Sequence, residues 1–327
     1  MKVLVTGSSG HLGEALMRLL PTLGHDAVGL DLLSSPFTNV QGSITDPAVV
    51  TRALDGVEAV LHTATLHKPH VASHTRQAFI DTNITGTLTL IEGAVRSGLR
   101  RFVFTSTTSA FGAALSPEIG FPAAWIDESV IPVPKNIYGT TKTAAEDLCH
   151  LFSRQHGLNC VILRTSRFFP EADDDEAIRS AFTDTNAKAN EFLFRRVDIQ
   201  DAAMAHIQAM LHAPDIRFGR YIISSTTPFD RSDLEGLRED PAAVVASIYP
   251  DFRQIYDAAR YAMFPDIDRV YCNDLARRDL HWSPQHDFAS VLAQIDRGEP
   301  IGSPLAGLIR IKGYHGAVFA DGLYPTG

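Results

Sequence analysis

Lys2-Val-Leu-Val-Thr6 runs into Gly7-Ser-Ser-Gly10-His-Leu-Gly13, and this junction decides how the chain is read. Lys2–Thr6 is a short apolar run of the kind that forms a fully buried strand. His11–Leu20 then places Leu12, Ala15, Leu16, Leu19 and Leu20 at helical spacing. Between them the glycines follow G-x-x-G-x-x-G. Glycine lets a backbone turn tightly and approach a pyrophosphate, whose charge rests on the helix N-terminus. The next strand, Asp26–Asp31, ends on a carboxylate 18 residues after Gly13. An acid there accepts hydrogen bonds from both ribose hydroxyls and repels a 2′-phosphate, so NAD is expected in preference to NADP. Gly7, Ser9, Gly10, His11, Leu12, Gly13 and Asp31 are the expected cofactor contacts.

Outward from this junction, short apolar runs alternate with helical patterns. Pro47–Leu54 reads as a helix, Ala59–His62 as a strand, Arg76–Arg96 as a long helix and Arg101–Thr105 as a strand. Ile137–His156 follows as a helix and Cys160–Arg164 as a strand. That rhythm predicts an α/β fold, a doubly wound parallel sheet of Rossmann type. Residues 1–165 would form the NAD-binding domain, with 198–225 returning to the sheet through a helix near Ala202–Leu211 and a strand, Tyr221–Ser224. Residues 166–197 and 226–313 would form a smaller substrate-binding lobe, and 314–327 a tail.

The 327 residues carry 29 Lys+Arg against 38 Asp+Glu, a net charge of −9. A nucleic-acid partner, which needs a basic footprint, is not expected. The hydrophobic fraction of 45% suits a globular core. No apolar run approaches the length of a membrane helix, and MKVLVTG lacks a signal-peptide core. Cys149, Cys160 and Cys272 are too scattered for a disulfide framework, so the cytoplasm is expected.

Tyr138-Gly-Thr-Thr-Lys142 puts a phenol and an ammonium at i and i+4, on one helix face. With only six lysines in the chain, such a pair is not expected by chance. A tyrosine is a poor base at neutral pH. A nearby ammonium and an oxidised nicotinamide would favour the phenolate and lower its pKa. General acid/base chemistry is the expectation.

With these motifs together, the chain resembles the extended short-chain dehydrogenase/reductases, the NAD-dependent epimerase/dehydratase family. The likeness covers roughly residues 1–225 well and the remainder more loosely. It implies a catalytic hydroxyl in Thr105-Ser-Thr-Thr-Ser-Ala-Phe-Gly112, at Thr107 when counted back from Gly112, with Ser106 and Thr108 as rivals. It implies that His62-Thr63-Ala64 lines the cofactor, with Thr63 and Ala64 in contact. Asn83 would support the site beside the cofactor. Gly42-Ser-Ile-Thr-Asp46 resembles an adenine loop, with Ser43 replacing the family's acid and Ile44 beside it. Asp279-Leu-His-Trp-Ser-Pro284 resembles an L-G-W-x-P turn, with His281 in place of glycine.

The resemblance also bears on the substrate. Arg164-Thr-Ser-Arg167-Phe-Phe-Pro-Glu171 has Arg167 where nucleotide-sugar epimerases carry asparagine, and its S-x-x-x-P-E shape is similar to uronate dehydrogenases. Ser166, Arg167 and Arg179 are therefore candidate substrate residues, together with Thr107, Thr108 and His67; a guanidinium fork suits a carboxylate or phosphate. Asp173–Glu176 reads as a solvated acidic loop. Arg195 and Arg196 would either bind a phosphate or bridge Asp198 and Asp201. His70 and His74 are four apart, but no metal is expected, because the chemistry needs none. The leading expectation is an NAD-dependent oxidoreductase acting on a sugar-like alcohol or carbonyl. The rivals are a nucleotide-sugar epimerase or dehydratase with tightly bound NAD, and a non-catalytic NAD sensor. A homodimer is implied by resemblance, through the helices of Asn83 and Tyr138, with Leu88, Ile91, Leu148 and Leu151 compatible with that contact.

Overall fold

The first strand, β1 (Lys2–Thr6), pairs in parallel with β2 (Asp26–Asp31), whose edge carries a two-residue β3 (Val40–Gln41). On its other side β1 pairs with β4 (Ala59–His62), which continues to β5 (Arg101–Thr107). After β6 (Ala124–Ile126), which lies outside this sheet, come β7 (Asn159–Thr165) and β8 (Phe218–Ile223). The order is β3-β2-β1-β4-β5-β7-β8, all parallel. The doubly wound expectation holds. The direction of assembly reverses between β1 and β4, and the carboxyl ends of the strands at such a switch point are where open α/β sheets bind ligands. The computed structural model describes residues 1–312; the expected tail, 314–327, lies outside them, as does residue 313.

Helices cover both faces because the strands are apolar on both. His11–Thr22 and Ile199–Ile216 pack Leu12, Leu16, Ala203 and Ile207 against one face. Pro47–Ala53, Gly86–Arg96 and Ile137–His156 pack Val50, Leu90, Ile91 and Ala145 against the other. A third apolar cluster joins Phe192 and Phe194 to Phe229, Leu237, Phe252, Tyr256, Phe264 and Phe288. Beside it, β6 and β9 (Arg269–Tyr271) make a two-stranded parallel pair. Periodicity could not announce these strands, since three residues are too few to show alternation.

Two local departures shape the site. The expected Arg76–Arg96 helix is broken into Arg76–Phe79 and Gly86–Arg96 by a π-helical stretch, Ile80–Thr85, that carries Asn83. Such bulges re-aim one side chain within an otherwise regular helix. His281 adopts φ 49°, the left-handed region that glycine favours, so the turn keeps its shape despite the substitution. Its neighbour Trp282 donates from Nε1 to the Asp201 carbonyl at 3.0 Å.

Candidate active site

Gly7 leaves β1 at φ 71°. A Cβ there would lie 2.8 Å from the Ala64 backbone, and one on Gly13 would lie 1.9 Å from the Gly7 carbonyl oxygen. The loop is thus closed on itself and on the end of β4, with no room for side chains. Asp31 braces it: Oδ2 accepts the Ser9 N–H at 2.9 Å and Oδ1 the Leu33 N–H at 2.9 Å. Each oxygen keeps a lone pair for a ribose hydroxyl. Glycines, helix start and carboxylate together fit a dinucleotide. Asp31→Asn is expected to weaken NAD binding about tenfold and to narrow the gap to NADP, as read by calorimetric titration with both.

The neighbouring expected contacts are less uniform. His11 is buried, with Nε2 3.0 Å from Glu171 Oε1. Leu12 belongs to the core. The Ser43 hydroxyl turns into its own loop, accepting the Thr45 N–H at 3.1 Å and meeting Thr45 Oγ1 at 2.7 Å. Ile44 packs into the core, at a spot where a Cβ on Gly86 would meet its Cδ1 at 2.6 Å. Thr63 Oγ1 donates to the Thr6 carbonyl at 2.7 Å. Asn83 is saturated by protein. Its Oδ1 accepts the Leu66 N–H and the Thr65 hydroxyl; its Nδ2 donates to the Leu66 carbonyl and Thr141 Oγ1. With all four positions used, Asn83 ties the Thr65–Leu66 loop to the Tyr138 helix.

His62 is also internal, bridging Thr6 Oγ1 at 2.7 Å and Thr87 Oγ1 at 2.9 Å. Burial pushes its imidazole pKa down to about 3, and that of buried His206 to about 4. Both lie below the unfolded value, so the unfolded chain binds more protons across that interval. Stability is therefore complete above about pH 6.5 and falls as pH drops toward the folded values, by roughly 1 kcal/mol per ring per pH unit. Urea midpoints across that range should show the slope, and His206→Gln should remove part of it.

The Tyr138 helix begins at Asn136, whose side chain accepts the Gly139 N–H at 3.2 Å. Gly139 allows the helix start to approach the Thr108–Ala110 turn; a Cβ would come 2.9 Å from the Ser109 carbonyl oxygen. This contact brings Thr107, at the end of β5, close to the Tyr138 phenol, where its hydroxyl favours the phenolate. The rivals face elsewhere. Ser106 donates to Glu146 Oε1 at 2.6 Å, and Thr108 bonds to Tyr271.

Lys142 follows one turn later, 2% exposed, with Nζ 4.0 Å from the centre of the Phe104 ring. Burial pushes its pKa down to about 7, opposed by Cys149 and Glu146. The expectation that the phenol is lowered by this ammonium needs correction. Burial raises Tyr138 to about 12, and the Thr107 hydroxyl offsets only part of that rise.

Sequence reading missed Glu146, the next residue on the same helical face after Tyr138 and Lys142, although i+4 spacing could have found it. Arg164 forks onto it from Nε at 3.0 Å and Nη2 at 2.7 Å, and Arg220 adds a contact at 3.2 Å. This buried cluster ties the catalytic helix to β5, β7 and β8.

The loop after β7 also departs from expectation. Of Asp173–Glu176, expected as a solvated loop, Asp173 is buried and Asp174 partly buried, while Asp175 and Glu176 are exposed. The first two acids are drawn inward by arginines. Arg167 Nη1 donates to Asp173 and Asp174, each at 3.0 Å, and Nη2 to the Ala172 carbonyl at 2.9 Å. Arg167 as a free carboxylate-binding fork is thereby corrected: its own chain supplies the carboxylates. Arg179 Nη1 donates to the Asp173 carbonyl at 2.6 Å. Arg195 and Arg196 pair with Glu191 at 3.0 and 2.8 Å, not with Asp198 and Asp201. Their cations hold Glu191 down at about 2 against burial. Lys68 pairs with Asp174, and His67 stacks on Phe169 with ring centres 5.1 Å apart. The histidine loop thus closes against the β7 loop. Among the described residues, no group of three or more His, Cys, Asp or Glu could hold a metal ion, and no helix is long and apolar enough to cross a membrane.

The sequence pattern of the NAD dependent epimerase/dehydratase family matches residues 3–217. A UDP-glucose 4-epimerase of Rhizobium meliloti (strain 1021) is 31% identical over 322 residues, covering 88% of this chain and 94% of that protein. An NAD-dependent glucose-6-phosphate dehydrogenase of Haloferax volcanii is 30% identical over 183 residues, 50% of this chain and 66% of that one. The chain spans 39%, 66% and 58% of the first three curated relatives it matches. Among solved structures, a short-chain dehydrogenase/reductase superfamily protein from Agrobacterium tumefaciens with bound NAD aligns with a TM-score of 0.64 at 21% identity. That alignment covers 91% of this chain and 96% of the other, a likeness of fold. From glycine loop to Tyr-Lys helix, the chain belongs to the NAD dependent epimerase/dehydratase family, and NAD is the cofactor which that membership assigns to it.

Proposed function

We propose that this protein is an NAD-dependent oxidoreductase acting on a sugar-like alcohol or carbonyl. The observation that carries the reading is the approach of Thr107 to the buried Tyr138 phenol, with Lys142 one turn along the same helix, at the same end of the parallel sheet as the glycine loop. Thr107 holds the substrate oxygen, Tyr138 takes its proton, and Lys142 holds the nicotinamide ribose. Gly7, Gly10, Gly13 and Asp31 hold the dinucleotide. NAD, when bound, supplies the two-electron acceptor for the hydride leaving the carbinol carbon. Residues 1–165, with 198–225, form the cofactor unit in this reading, and 166–197 with 226–313 form the substrate lobe.

The similarity to a UDP-glucose 4-epimerase over most of the chain favours a second reading, in which the same proton and hydride movements reverse on the opposite sugar face. Coenzyme spectroscopy separates the two. Reduced coenzyme accumulating with substrate supports net oxidation; an epimer formed without accumulation supports the second reading.

A homodimer through the Tyr138 helix is part of the proposal. Leu151, 41% exposed there, is available to it, whereas Ile91 is fully buried in the core. Light scattering at twice the chain mass is the expected result.

A further inference from the structure

The charges and unpaired polar atoms beside Tyr138 bear on what the site accepts. β5 and β7 pair with Thr107 opposite Thr165. Ser166 and Arg167 therefore leave the sheet immediately beside the Thr107–Tyr138 pair, one strand spacing away. Recognition of the substrate falls to this segment and to what it packs against.

The cations of this segment are already matched. Arg167 is held by Asp173 and Asp174 as described, with Glu191 at 3.9 Å. Arg195 reaches Glu191 and, at 3.3 Å, Asp173. Arg196 spends one nitrogen on Glu191 and the other on the Phe169 carbonyl. Lys68 is taken by Asp174. Four cations thus face Asp173, Asp174 and Glu191, with Glu171 close by on His11. Each of these four cations is already engaged, so among the described residues an anionic ligand would have to displace a carboxylate to reach one of them, and burying an uncompensated charge is costly. Arg179 is the exception: its one recorded bond goes to a backbone carbonyl rather than a carboxylate.

The buried polar atoms without partners have a different character. Among the described residues Ser166 Oγ, in a residue 2% exposed, has none. A serine hydroxyl both donates and accepts. At the strand end beside Thr107 it complements a hydroxyl on a neutral ligand; Glu171, the acid nearby, is held by His11 and the Lys312 N–H.

We infer that the substrate is an uncharged, hydroxyl-rich compound of the aldose or polyol class, not a uronate, sugar phosphate or nucleotide sugar. The inference rests on the oxidoreductase reading above and names the charge class of that same site.

The test uses NAD-saturated full-length protein and a panel of aldoses, each beside its matched uronate, 6-phosphate and UDP-sugar. Affinity is read by calorimetry and turnover by coenzyme reduction. The preferred aldose should exceed each anionic counterpart by at least about tenfold in affinity, the scale of one uncompensated charge. Ser166→Ala should raise its KM several-fold while kcat stays within about twofold, the pattern of lost uniform binding. Asp173→Asn with Asp174→Asn, which frees Arg167, should shift preference toward the uronate. An anionic member binding more tightly than its neutral match, and losing that advantage in Arg179→Gln, overturns the inference while leaving the oxidoreductase reading in place. A panel in which no neutral member binds also overturns it. A neutral sugar that binds by the expected margin but never reduces the coenzyme upholds the charge class and defeats the oxidoreductase reading instead.

Discussion

Tyr138→Phe is expected to lower kcat about a thousandfold, within the range that a positioned acid/base group contributes, while NAD affinity changes little. The phenol is buried close to Thr107, so removing its oxygen deletes the proton acceptor without opening a cavity. The same burial sets the pH behaviour. With the ligand-free phenol pushed up to about 12 and Lys142 down to about 7, the wild-type kcat/KM should climb with pH as the phenolate fraction grows. An apparent pKa well below 12 in the profile would measure how far the positive nicotinamide and the substrate draw the phenol down. Thr107→Val should show a smaller loss, because it removes only the orienting bond. A Tyr138→Phe variant with unchanged kcat would remove the phenol from the mechanism.

The second large effect concerns the cofactor loop. Gly13→Ala places a methyl group 1.9 Å from the Gly7 carbonyl oxygen. The obstacle is backbone, so no side-chain rotation relieves it, and the loop must move away from the shape that cradles a pyrophosphate. Overpacking of this kind costs about 1–3 kcal/mol, which read as binding is up to about a hundredfold weaker NAD. Gly307→Ala is the control, since a Cβ there meets nothing within 4 Å. Calorimetry on both variants, with circular dichroism to check folding, gives the comparison. Equal NAD affinity in the two would mean that the glycine loop does not hold the coenzyme.

These two effects come from the parts of the molecule that were legible in sequence. The strands β1, β2 and β4 and the helix Ile137–His156 fall where apolar periodicity places them, because each is long and regular enough to show its period. Gly7 and Gly13 could be read because close backbone approach excludes every other residue. Tyr138 and Lys142 could be read because one helical turn fixes their relation.

What remained hidden depends on contacts distant in sequence. Arg167, quoted as a free guanidinium, is claimed by Asp173 and Asp174, six and seven residues on, and nothing in spacing distinguishes that from a solvated loop. The π-helical turn carries Asn83, whose side chain bonds Leu66 and Thr141, 17 and 58 residues away. Glu146 gains its importance from Arg164 and Arg220 on two other strands. For Tyr138, proximity to Lys142 is visible in sequence, but the depth of burial that raises the phenol in the coenzyme-free protein is not.

The most direct measurement follows the hydrogen itself. NAD-loaded protein would be given an aldose deuterated at the carbon that is oxidised, and the coenzyme recovered after a single turnover for mass spectrometry. The account predicts one deuterium in the reduced coenzyme from wild-type protein, and none from Tyr138→Phe on the same timescale. Product formed while the coenzyme stays unlabelled and oxidised throughout would contradict it.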